Sequence, residues 1–105
     1  MNEIVLQNLI GFDWDKWNFN KNQDKHKVSY LECEQIFFNF PLLLYDDTKH
    51  SSQEKRLYAL DALGKTDNER LLFIVFTIRN NLIRIISARD MCKKERAIYE
   101  KNTNF

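Results

Sequence analysis

An α+β fold built on an antiparallel sheet is predicted by three features of this chain. Residues 71–90 read LLFIVFTIRNNLIRIISARD, two apolar, β-branched runs joined by Asn80-Asn81. Asn tolerates the positive φ angles that tight hairpin turns need, so this stretch predicts a β-hairpin. Strand-like runs follow one another through the second half, with helical patterns at both ends. That arrangement favours helices packed on an antiparallel sheet over βαβ crossovers. Ser29-Tyr30-Leu31-Glu32 is a capping box, in which Ser29 and Glu32 satisfy each other's free backbone N–H groups, and it marks a helix start.

The elements follow in chain order. Residues 10–13 make a short first strand. Residues 15–25 are polar with Trp14, Trp17 and Lys21 at helical spacing, which predicts a first helix. The capping box opens a second helix through about residue 38, with Tyr30, Cys33 and Phe37 on one face and Ile36 beside them. Phe40-Pro41 stops it, because the residue before proline avoids the α region. Residues 42–45 are a short strand, 46–55 a polar loop, 56–63 a further strand and 64–69 its turn. The hairpin comes next, and Asp90 is placed to cap a last helix running to about residue 101. The predicted order is β-α-α-β-β-β-β-α, with a sheet of four or more strands.

The hairpin carries Arg79, Arg84 and Arg89 among apolar residues. Arginine is always charged and offers a planar fork of donors that matches phosphate. A two-residue turn pairs Arg79 with Leu82, Thr77 with Arg84 and Phe73 with Ala88. Side chains alternate between faces, so one face holds Phe73, Val75, Thr77, Arg79, Leu82, Arg84, Ile86 and Ala88. The other holds Leu72, Ile74, Phe76, Ile78, Ile83, Ile85, Ser87 and Arg89, and as the more apolar it is expected to carry the core. This register sets Arg79 and Arg89 on opposite faces. Arg89 then either lies beyond the sheet where a bend frees it, or is structural. The alternative for all three arginines is a solvated edge.

A chain of 105 residues, 44% hydrophobic and 13% aromatic, is read as one globular domain over residues 1–105. Net charge is +1, but the halves differ. Residues 1–50 have five Lys and no Arg against eight acids, and residues 51–105 have five Lys and six Arg against seven acids. The basic second half is weak support for a polyanionic partner. Cys33 and Cys92 have no CxxC spacing and fit a reduced, cytoplasmic protein. MNEIVLQNLIGFDWD has no basic leader region, and Gln7 and Asn8 break its apolar patch, so it reads as neither signal peptide nor membrane span. No His/Cys/Asp cluster has metal-ligand spacing; Asp46-Asp47 with His50 comes nearest. Phosphate-loop, dinucleotide and nucleophile-elbow motifs are absent. No cofactor is expected.

An ordered set of residues carries a resemblance. Phe12-Asp13-Trp14-Asp15 is followed by Asn22, Lys25-His26, Val28-Ser29 and Glu32, then Asp47, His50-Ser51, Glu54 and Arg56. Thr77 and Arg79 come next, then Arg84-Ile85-Ile86-Ser87-Ala88-Arg89 and a charged helix ending in Tyr99-Glu100. Over residues 11–101 the chain resembles the BrnT family of small bacterial ribonuclease toxins, a branch of the RelE-like fold. It departs from the family at Trp17-Asn18, where many members have a lysine, at Lys27, where glycine is common, and in the extension formed by residues 1–10. The resemblance implies a toxin that cleaves RNA and stalls translation. It also implies neutralisation by a ribbon-helix-helix antitoxin, BrnA, and repression of the operon by the pair, with DNA touched only through the antitoxin.

Metal-free RNA cleavage uses the 2′-hydroxyl as internal nucleophile, which only RNA possesses. It needs a group to take that proton, cations for the crowded phosphorane and an acid for the leaving oxygen. His26 and His50 are the only histidines and have the natural pKa for proton transfer. The expected catalytic set is His26, Lys25, Arg79 and Arg89. The expected RNA contacts are Arg84, His50, Glu54, Arg56 and Trp14, the last by stacking on a base together with Trp17. Each has a plainer alternative. The histidines can brace loops, Glu54 and Arg56 can form a surface ion pair, and the tryptophans can be core. A rival function of another class is a non-catalytic module that binds an antitoxin helix as a co-repressor.

Overall fold

The hairpin of residues 71–90 forms in the computed structural model, which describes residues 8–49 and 58–102. Asn80 and Asn81 both have positive φ, 54° and 63°, as the turn requires. In chain order the elements are β1 (Gly11–Phe12), α1 (Lys21–His26), α2 (Tyr30–Gln35), β2 (Leu43–Asp46), β3 (Ala59–Lys65), β4 (Leu71–Arg79), β5 (Leu82–Asp90) and α3 (Lys93–Lys101). Among the described residues five strands form one sheet in the order β1-β5-β4-β3-β2. The sheet is mixed rather than wholly antiparallel, because β1 runs parallel to β5. Two residues are too few for the periodicity of residues 10–13 to declare a direction.

The register of β4 on β5 departs from expectation in one place. Arg79 pairs with Leu82 and Thr77 with Arg84, but a bulge lies between Phe76 and Val75, and Phe73 pairs with Arg89 instead of Ala88. Ile86 is the additional residue on β5. Regular alternation would have aimed Ser87 and Arg89 at the core. The bulge turns Ala88 inward opposite Ile74 and sends Arg89 outward, which avoids burying an unpaired charge at a cost of several kcal/mol or more.

The core lies on the expected apolar face, where Leu72, Ile74, Phe76, Ile83, Ile85 and Ala88 pack with Leu60 and Ala62 of β3. Val28, Cys33 and Ile36 of the α2 region cover them. Gly64 permits the close approach of α2, since a Cβ there would lie 2.9 Å from that of Ile36. α3 covers one end of the opposite face through Tyr99, against Leu63 and Met91.

Helix boundaries shift for local reasons. The first helix spans Lys21–His26, not residues 15–25. Asp15 instead closes a turn by accepting from the N–H groups of Trp17 (2.8 Å) and Asn18 (3.2 Å). Lys27 ends it in the left-handed conformation, φ 56°, where the resembled family commonly has glycine. α2 has the capping box but gives way to turns after Gln35. α3 is capped by Cys92, whose N–H donates to Glu95 (2.8 Å), and not by Asp90, which ends β5.

Beyond its two residues beside β1, the outer edge of β5 is satisfied by side chains of residues 18–22. Asn22 accepts from the buried Ala88 N–H (3.0 Å), Asn18 donates to Ile85 O (3.3 Å) and Lys21 to Ile86 O (2.9 Å). Asn18 and Asn22 are themselves buried. Asn22→Ala strands the Ala88 donor and is expected to cost roughly 1–3 kcal/mol. Urea unfolding should show a lower midpoint with an unchanged m-value; an unchanged midpoint would mean that water replaces the amide.

Candidate functional site

The bulge places Arg79, Arg84 and Arg89 on one face of the hairpin, with Phe73, Val75 and Thr77. Each arginine meets a carboxylate. Arg79 Nη2 lies 3.3 Å from Asp13 Oδ2, and its side chain is 59% exposed. Arg84 Nη1 lies 2.9 Å from Asp15 Oδ2 and 3.5 Å from Asp13 Oδ1, contacts whose alignment falls short of a hydrogen bond. The Arg84 guanidinium beside Asp15 holds that carboxyl below its ordinary range. Arg89 forms a bidentate pair with Glu95 (2.7 and 2.9 Å) and stacks on the Phe73 ring at 4.3 Å.

Leu82, opposite Arg79, precedes Arg89 by seven positions. At about 3.3 Å per residue the two arginines stand roughly 20 Å apart along the strand. The expected catalytic residues therefore fall into two groups. Arg79, with Arg84, occupies the turn end. Lys25 and His26 close α1 at the other end of β5. Arg70 fastens that end, bonding Asp90 (2.7 Å), Glu32 (3.1 Å) and the carbonyls of Lys27 (2.8 Å) and His26 (3.4 Å). Arg89, next to Asp90, belongs to the same end. Lys25 is exposed and His26 half-buried.

Trp14 donates its indole N–H to Glu34 (2.8 Å) and meets Tyr30 and Phe19 edge-on, so its ring braces the junction of the helices. Trp17 is exposed, with the Lys16 ammonium 5.1 Å from its ring centre. His50, Glu54 and Arg56 lie outside the described residues. Among the described residues no group of three His, Cys, Asp or Glu is placed to hold a metal ion. No described helix is long and apolar enough to cross a membrane.

Near Arg89 sits a carboxyl pair that the strand pattern did not flag. Asp61 of β3 faces Asp47, with Glu95 and Arg89 as the other charges around it. Burial, a proton shared with Asp47 and the Asp47 charge push Asp61 up to about 8; Glu95 adds to the rise and Arg89 opposes it. The folded chain thus keeps a proton that the unfolded chain has released above its ordinary carboxyl pKa. Stability should fall as pH rises between about 4 and 8. Asp61→Asn, which imitates the protonated form, should flatten that slope in melting temperature against pH. Parallel curves for the two proteins would show that the pair stays ionised.

Sequence reading missed the roles of Asp13, Asp15, Asn22 and Arg70, and read Glu32 as a helix cap but not as a partner of Arg70. All but Arg70 stand in the motif that carries the family resemblance, so the motif itself was the available signal. A family model described as the ribonuclease toxin BrnT of type II toxin–antitoxin systems matches residues 14–95. No curated protein matches the chain.

Proposed function

The chain belongs to the BrnT family of ribonuclease toxins of type II toxin–antitoxin systems, and on that premise we propose that it is a metal-independent endoribonuclease whose RNA lies along the arginine-bearing face of β4 and β5. The observation that carries this reading is the bulge at Ile86, which puts Arg89 on the same side of the hairpin as Arg79 and Arg84, at the two ends of a face whose middle, Val75 and Thr77, is buried. In the proposed reaction the 2′-oxygen attacks the adjacent phosphorus, the 5′-oxygen leaves and a 2′,3′-cyclic phosphate remains. His26 takes the proton from the 2′-hydroxyl and, protonated, supplies one to the leaving oxygen. Lys25 and Arg89, at the same end of β5, oppose the charge of the phosphorane. Glu95 preorganises Arg89. Arg79 and Arg84 hold the RNA chain at the turn end, and His50, Glu54 and Arg56 contribute further contacts.

The finer reading includes a RelE-like architecture, a cytoplasmic site of action, inhibition of translation and a BrnA-type ribbon-helix-helix antitoxin that alone contacts DNA. A groove of about 350 Å³ lined by Leu9, Phe12, Phe37, Phe38 and Ile83 offers that antitoxin an apolar seat. Phe38 is 79% exposed there. Phe38→Asp should weaken antitoxin binding at least about tenfold, roughly 1.4 kcal/mol. Unchanged affinity would assign the interface to charged surface instead.

One observation favours the co-repressor reading: every arginine of the hairpin is already paired with a carboxylate. Induced expression without antitoxin, followed by growth and RNA integrity, separates the two. Growth arrest with degraded RNA is expected. Intact RNA at high levels of folded protein would favour the co-repressor.

A further inference from the structure

We propose that Asp13 holds the place of an RNA phosphate between Arg79 and Arg84, and that RNA binds by displacing it. The inference rests on the proposed RNA-cleaving reading and deepens it by naming a residue that acts against binding. Asp13 directly follows β1, and its N–H donates to Ile83 O (2.8 Å), which fixes its backbone beside β5. Its two oxygens go to different arginines, Oδ2 to Arg79 at 3.3 Å and Oδ1 to Arg84 at 3.5 Å. One anion shared by guanidiniums on adjacent strands is the arrangement by which two arginines take the two non-bridging oxygens of a phosphodiester.

Both contacts are long for charge-assisted bonds, whereas Arg89–Glu95 is closed at 2.7 Å and Arg84 Nη1 approaches Asp15 to 2.9 Å without the alignment of a hydrogen bond. Asp13 is thus the loosest partner on this face. Arg79 is open to solvent, so a phosphate reaches it without any element moving. Asp15 keeps Arg84 in place after Asp13 has left. The Arg79 contact, exposed on the arginine side, is weak and exchanges readily for a better anion, while Arg84 and Asp13 are partly buried.

The test uses the full chain and an all-2′-O-methyl RNA oligonucleotide, which lacks the nucleophile, so that binding is read apart from cleavage. Asp13→Asn should bind it at least about fivefold tighter at low salt, with a salt dependence steeper by roughly one counterion. Arg79→Ala should weaken binding, and the double variant should lose the gain. If Asp13→Asn is folded and binds no tighter while Arg79→Ala weakens, the inference is overturned and the RNA reading stands. If neither variant changes binding, the RNA reading of this corner falls too. The wild-type protein gives a check independent of folding in the variants. The carboxyl carbon resonance of Asp13 should move on saturation with the oligonucleotide, and an unmoved resonance overturns displacement.

Discussion

His26→Ala is expected to lower RNA cleavage on the order of 10²-fold while leaving RNA binding nearly unchanged, because a proton carrier acts on kcat. The fold should survive. The contact that ties this residue to the Arg70 network is made by its backbone carbonyl, which alanine keeps. A melting transition matching wild type is the control. Cleavage should also show a bell-shaped pH dependence that flattens in the variant. If His26→Ala and His50→Ala both cleave at the wild-type rate, histidine acid–base chemistry is excluded, and electrostatic stabilisation by Lys25 and the arginines would have to account for the whole rate.

Arg79→Lys is expected to keep the fold and lower kcat/KM at least about tenfold, equivalent to roughly 1.4 kcal/mol. Lysine retains the charge but not the fork of donors, so the change tests bidentate phosphate recognition separately from attraction. Arg79 stands roughly 20 Å from the His26 end by strand geometry, so the loss should appear mostly in KM. A loss confined to kcat would bring Arg79 to the reacting phosphate and require the RNA to fold back across the sheet. Arg84→Lys should matter less for binding, since Asp15 already occupies that guanidinium.

The parts of the fold legible in the sequence were those with a local cause. Asn80-Asn81 announced its turn because few residues adopt positive φ. Ser29 and Glu32 announced a helix start because their side chains bond back to it. The eight-element order followed from these and from apolar periodicity. The parts that were not legible depend on distant partners. No glycine marks the bulge at Ile86; what selects it is the gain from seating Ala88 against Ile74. Residues 15–20 have helical spacing, but Asp15 uses its carboxylate to close a turn and to meet Arg84. Asp61 sits in a strand whose neighbours are apolar, and nothing near it in sequence reveals that Asp47 lies opposite. The arginines were found as residue types, but their common face was hidden because alternation was counted without the additional residue.

That hidden count has an evolutionary side. Between Ile85 and Ser87 the strand β5 holds one residue more than a regular ladder against β4 needs, and the bulge absorbs it. Deleting Ile86 alone would leave every arginine in the gene and every codon in frame. It would also leave Ser87, Ala88 and Arg89 opposite Val75, Ile74 and Phe73, with Ala88 still inward and Arg89 still outward. Two strand lengths, one bulged and one regular, therefore present the same residues to the same sides. Natural variation among functional copies should include strands shorter by this one residue, with the small residue and the arginine that follow it kept in place.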